Sequence, residues 1–219
     1  ATNLLDAGSV AEAARGGVLA ARATGGEERE VLIPEPVQGA YQTPMERDPF
    51  EVPLDEKVEE IASAHRRLLG IDGVSAARGN YVGHRQETTF AASNGSRMEQ
   101  AITLCGGGIK AIAEGDGDIQ VRSAPKSFEG NVLQGGFEKL RGMKLSEEAK
   151  RVGHEAVALL TAPPTPEGER TVILDGPQLS LQIHESVGHP TELDRVLGEE
   201  ISLAGASFLL PEAVDELQY

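Results

Sequence analysis

The 219 residues carry 35 acidic against 20 basic side chains, a net charge of −15, with 39% hydrophobic and 25% charged residues. That balance describes a globular chain with an acidic, solvated surface, and it argues against direct binding of nucleic acid or of an anionic membrane. No apolar run reaches the ~18–20 residues of a membrane span and no signal peptide is expected, while one cysteine excludes an internal disulfide and fits a reducing compartment.

Residues 1–24, with Ala, Leu and Arg in NLLDAGSVAEAARGGVLAARA, predict a helix that Gly16-Gly17 weakens in the middle. Five prolines between 25 and 53 forbid a long regular element, so this stretch reads as an extended Pro/Gly-rich linker. In 54–69 Leu54, Val58, Ile61, Leu68 and Leu69 recur at helical spacing and Gly70 stops the pattern. Glu59, Glu60, Arg66 and Arg67 form its charged outer face, and His65 is placed at a helix boundary.

From Gly73 to Ser127 the period shortens to two. VSAARGNYVG, RQETTFAAS, RMEQAITLC, GIKAIAEG and DIQVRSAP read as five strands, with tight-turn signals at Asn94-Gly95 and Asp116-Gly117. Consecutive strands joined by tight turns predict an antiparallel meander with one face under the helices at 54–69 and 146–161. Cys105 reads as a small buried hydrophobe. The glycines after it form no phosphate loop, because no Gly-Lys-Ser/Thr and no helix follow. His84 and His154 stand alone. SFEGNVLQGGFEKLRG is a loop or a broken edge.

SEEAKRVGHEAVALLTA predicts the second covering helix, with Ser146 as N-cap, Glu147 and Glu148 at its positive end, and Val152, Ala156, Leu159 and Leu160 as the buried stripe. PPTPEGE, residues 163–169, is a second linker. TVILDG then reads as a short buried strand, and Pro177 starts a helix bearing Leu179, Leu181 and Ile183.

That helix runs into His184-Glu185-Ser186-Val187-Gly188-His189. Neutral imidazoles suit Zn²⁺ and related divalent ions, and a neighbouring carboxylate can accept a proton from water activated by such an ion. The zinc-protease pattern H-E-x-x-H places its histidines one α-turn apart. Here one more residue intervenes, and five steps of about 100° leave the rings roughly 140° apart on a regular α-helix. If both bind one ion the backbone must deviate between them, and a π-type turn would do it. Gly188 and Pro190 mark the place where the helix can loosen or stop. Beyond Pro190, TELDRVLGEE predicts a short helix capped by Thr191, and ISLAGASFLLPEAVDELQY a strand-like apolar run with a turn at Pro211. Glu192 and Asp194 read as cap and surface charges before surrogate ligands, and Glu199-Glu200 as solvated. The fold class is α+β: a helix-covered meander, then the start of a metal-binding domain whose strand and helix carry HExxxH.

LDGPQLSLQIHESVGHPTELDRVLGEE resembles the metalloprotease segment of the TldD/PmbA family, proteins also described as modulators of DNA gyrase. AYQTPMERDPFEVPLDEK and EAVALLTAPPTPEG extend the resemblance over nearly the whole chain. It lies on the TldD side, since the PmbA (TldE) partner lacks HExxxH. The resemblance implies a metal-dependent peptidase with His184 and His189 as zinc ligands and Glu185 as general base acting on the metal-bound water. It implies a third ligand, a cysteine in the far carboxy-terminal part, which Cys105 does not match. Set against the family, both ends are expected to be truncated: 1–24 a remnant of the N-terminal domain, 25–53 a linker, 54–162 the central domain, 170–219 the beginning of the C-terminal domain. The fragment alone is then expected to bind metal poorly and be inactive. The family further implies a cytoplasmic heterodimer with a PmbA/TldE-like subunit. It implies cleavage of unfolded or short peptides held as an added strand, with roles in modified-peptide maturation and antitoxin removal. A non-catalytic interaction subunit is the alternative, and the presence of His184, Glu185 and His189 weighs against it. A different metal hydrolase sharing only the six-residue motif is opposed by the agreement over 40–57 and 155–198.

Overall fold

The structure, a computed structural model, describes residues 2–25, 33–115, 117–127, 130–202 and 205–209. The chain divides into two compact units, one of residues 1–40 with 88–99, the other of 41–87 with 100–219.

In the first unit α1 (Ala7–Ala23) runs unbroken through Gly16-Gly17. Asp6 caps it, its Oδ1 accepting from the Ser9 amide at 2.9 Å, and none of its residues is buried. The Asn94-Gly95 turn forms as expected, with Gly95 at φ 95° and its amide bonded to the Ala92 carbonyl. That backbone favours a residue without a Cβ.

The sheet contains β1 (Gln38–Gln42), β2 (Val74–Ala91), β3 (Arg97–Gly115), β4 (Asp118–Ala124) and β5 (Asn131–Gln134). All four others pair with the 19-residue β3. β4 and β5 lie antiparallel to it, in registers such as Ile112↔Val121 and Gly106↔Val132. β2 joins β3 through residues 92–96, too short for the crossover that a parallel pair needs.

The five strands expected over 74–125 are therefore three, because neither Gly83 nor the run Gly106-Gly107-Gly108 turns the chain. A Cβ on Gly106 would lie 2.0 Å from the Asn131 carbonyl oxygen, and one on Gly107 2.3 Å from that of Asn80. These glycines let neighbouring backbone approach a continuous strand. β5 and a short helix α3 (Glu138–Gly142) occupy the segment read as loop or broken edge.

Two helices cover one face. α2 (Leu54–Leu69) has the expected span, but the face turned inward carries Ala64 and Leu68. Leu54, Val58 and Leu69 are exposed, a correction to the apolar stripe. Of the positions that spacing selected, Ile61 and Leu68 pack inward as expected, with Ala64 completing that face. His65 lies inside this helix, not at its boundary, and its Nε2 donates to the Ala77 carbonyl at 3.1 Å.

α4 (Leu145–Leu159) starts one residue earlier than expected. Its N-cap is Lys144 in the left-handed region at φ 49°, without a side-chain cap, so Ser146 is not the cap. Burial of Leu145, the first helical residue, anchors this start. Leu145, Ala149, Val152 and Ala156 meet Ala64, Leu68 and the inward residues Cys105, Ile109, Ala111 and Ala113 of β3, with Phe137 and Leu140 closing the end. Cys105 is buried and free as read from the sequence, and His84 and His154 are exposed. At the rim, Arg85 donates to Asp48 Oδ2 at 2.6 Å and stacks on Phe50, which holds the Asp48 carboxyl below the usual carboxylate range.

Candidate metal centre

Residues 171–175 form no strand and have no ladder partner among the described residues, and Val172 and Ile173 are exposed. The expected buried strand is corrected, because an apolar β-branched run becomes one only where another strand or a core meets it. α5 (Gly176–Ile183) follows, with Pro177 in its first turn as expected. The Asp175 carboxylate preceding it accepts from Lys126 Nζ at 2.9 Å.

At His184 the backbone leaves the α pattern. Residues His184–Gly188 form a π turn, and the His189 amide donates to the His184 carbonyl, the bond spanning five residues that defines it. A short 3₁₀ turn (His189–Thr191) ends the element, and α6 (Leu193–Val196) follows. Pro190 has no N–H to return to Ser186, so the helix cannot resume its four-residue pattern there. Thr191 does not cap α6. Its Oγ1 lies 3.0 Å from both the Val187 and the Gly188 carbonyl oxygens, so its single proton is shared between these two acceptors at the end of the π turn. Glu192, in extended backbone, is the N-cap residue.

The π turn returns His189 over His184. Their ring centroids are 4.5 Å apart at 70°, where an α-helix would have pointed the rings roughly 140° apart. Glu185 lies between them, Oε1 3.9 Å from His184 Nε2 and Oε2 4.0 Å from His189 Nε2. One donor atom from each of the three residues falls within 4.8 Å of the others. Two imidazoles are donors that zinc and similar ions select, and a carboxylate beside them can accept a proton from water. The residues present fit a divalent ion. Among the described residues no other group of His, Cys, Asp and Glu gathers this way, so Cys105 stays outside the centre.

Accessibility differs across the group: the side chains of His184 and Glu185 are 59% and 57% exposed, that of His189 23%. His189 is also the histidine with a second polar neighbour, its Nδ1 lying 3.1 Å from Glu192 Oε1. The Arg195 guanidinium donates to the other oxygen of Glu192, and with His189 it holds that carboxyl below its ordinary range. Arg195 is itself buried and donates through Nη1 to the Gly205 carbonyl at 2.9 Å. Asp194 accepts from the Arg195 amide at 2.9 Å. Reading Glu192 as a cap is correct for its backbone and misses its side chain. The signal in sequence was the spacing of three from His189 to Glu192 and three more to Arg195. The described residues of the expected strand-like run, 201–202 and 205–209, form no strand, a correction to that reading, and the turn at Pro211 lies outside the described residues.

Among the described residues no helix is long and apolar enough to cross a membrane. Residues 47–161 match the PmbA/TldA metallopeptidase central domain. A metalloprotease of Methanothermobacter thermautotrophicus is 32% identical over 179 residues, 77% of this chain and 38% of that protein. One of Methanocaldococcus jannaschii is 32% identical over 176 residues, 78% and 36% of the two chains. One of the cyanobacterium Synechocystis is 24% identical over 208 residues, 89% and 42%. The chain thus spans less than half the length of the curated relatives it matches, and no solved structure matches it significantly. With the central-domain match over more than half its length, and with relatives that are metalloproteases, the chain belongs to the PmbA/TldD metallopeptidase family.

Proposed function

We propose that this chain carries the metal-binding and proton-transfer residues of a TldD-like zinc metallopeptidase that hydrolyses unfolded or short peptides. The observation that carries the reading is the convergence of His184, Glu185 and His189 across a spacing that a regular helix would separate. His184 and His189 would hold the ion through their ring nitrogens. When bound, a divalent ion there supplies Lewis acidity to the scissile carbonyl and to water.

Glu185 acts as the general base. Its two oxygens face the two histidines, and its exposed side chain is open to water and to a peptide. It takes a proton from the attacking water and returns it to the leaving amine, so that the carboxylate is regenerated while the water is consumed, its oxygen ending in the new carboxyl group. A catalytic zinc normally takes three protein ligands, and the third is proposed to come from elsewhere in the full-length protein. We place the scaffold in 54–162 and the start of the catalytic domain in 170–219, in a cytoplasmic heterodimer with a PmbA/TldE-like subunit. The presence of all three polar groups weighs against a purely non-catalytic interaction subunit.

The test uses the protein from the complete open reading frame, together with its partner. Zinc content and peptide cleavage are measured for wild type and Glu185→Ala. Retained zinc with cleavage lowered by about 10²–10⁴-fold supports the base role; unchanged cleavage removes it.

A further inference from the structure

We infer that Glu192 is a positioning residue for the centre: it holds His189 as the Nδ1–H tautomer, leaving Nε2 bare toward the site, and Arg195 anchors it there. The inference rests on reading His184 and His189 as the metal ligands. Glu192 Oε1 lies 3.1 Å from His189 Nδ1. An ionised carboxylate only accepts, so the ring nitrogen facing it must carry the proton. The neutral ring has one N–H, and Nε2 then presents its lone pair. Among the described residues no hydrogen bond to that nitrogen is found, and Glu185 Oε2, at 4.0 Å, is beyond hydrogen-bond reach.

The support for Glu192 is built in. Its other oxygen accepts from Arg195, which is only 6% exposed and is tied to the Gly205 carbonyl. A planar guanidinium fixed at both ends restricts the carboxylate. Partners of this kind orient metal-ligating histidines and fix their tautomer. The arrangement is asymmetric. Among the described residues His184 has no comparable orienting partner and its side chain is 59% exposed, so His189 is the histidine of the two that a neighbouring carboxylate holds.

The experiment reads the tautomer directly. Long-range ¹H–¹⁵N spectra of histidine side chains are recorded on metal-free protein at about pH 8, above the ordinary histidine pKa of about 6.5. Wild type is expected to show His189 as Nδ1–H. Glu192→Ala should lose that preference, and Glu192→Gln, whose carbonyl oxygen still accepts, should keep it; His184 signals should not move in either. Wild-type His189 found as Nε2–H overturns the inference without any variant, as does an unchanged tautomer in Glu192→Ala. The second readout is Co²⁺ affinity, expected to weaken about 10–100-fold in Glu192→Ala and to be regained in Glu192→Gln. If His184→Ala leaves Co²⁺ affinity unchanged, the ligand reading itself fails. If His184→Ala abolishes binding while Glu192→Ala leaves it intact, the positioning role alone is lost.

Discussion

Replacing Gly106 by alanine tests how the long central strand is built. The new Cβ would meet the Asn131 carbonyl oxygen at 2.0 Å, Val132 Cα at 2.8 Å and the Asn131 carbonyl carbon at 2.9 Å, where ordinary contact begins near 3.4 Å. The two strands must separate by more than 1 Å at this point. β3 cannot yield, because Cys105 and Ile109 on either side are locked in the core. The exposed four-residue β5 must yield instead, and its register Leu104↔Gln134 to Gly107↔Asn131 loosens. Losing two or three ladder bonds at roughly 0.5–1.5 kcal/mol each, or holding them under overpacking strain of about 1–3 kcal/mol, gives a cost of about 2–4 kcal/mol. At roughly 2–8 °C per kcal/mol, the melting temperature falls by about 10 °C. Urea and thermal unfolding followed by far-UV circular dichroism measure it. Gly16→Ala is the control: nothing lies within 4 Å of its Cβ in exposed α1, so it should be neutral or stabilising by up to about 1 kcal/mol. A Gly106→Ala protein within about 0.5 kcal/mol of wild type, the range of an ordinary surface change, would refute the close-approach argument.

Two further predictions concern pH. Burial, with Cys105 beside it, pushes the Tyr81 phenol up to about 12. A raised acid pKa favours the neutral folded form, so this contribution is complete below the unfolded value of about 10 and is lost as pH rises toward 12. Spectrophotometric titration should show one of the three tyrosines ionising about two units late, and stability falling over that window; a late step that survives Tyr81→Phe would contradict it. The Asp48 carboxyl is lowered by Arg85, so the pair stabilises above the ordinary Asp value near 4 and fails as pH falls below it. Arg85→Ala should cost about 1–2 kcal/mol near neutrality and converge on wild type in acid, whereas a constant offset at all pH would show that packing against Phe50 carries the effect.

The elements most legible in sequence were those with a periodic code and a punctuated end. The span of α2 and the Asn94-Gly95 turn follow from local patterns. The π turn followed from a contradiction: two histidines five apart can share an ion only if the α geometry fails between them. What was not legible depends on neighbours distant in sequence. A glycine that admits another strand looks in sequence like one that turns the chain, and only the Asn131 and Asn80 backbones distinguish them. Val172 and Ile173 look like a core strand, yet among the described residues nothing pairs with them. At the site, HExxxH named three residues, but Glu192 and Arg195 acquire meaning only once the π and 3₁₀ turns bring Glu192 under His189.

X-ray absorption at the zinc edge, on the full-length protein loaded with one equivalent, asks most directly whether two imidazoles grip one ion. Two imidazole nitrogens at about 2.0–2.1 Å are predicted, falling to one in His184→Ala and to one in His189→Ala. A first shell without imidazole, or one that neither substitution alters, would contradict the assignment of the π turn as a metal clasp.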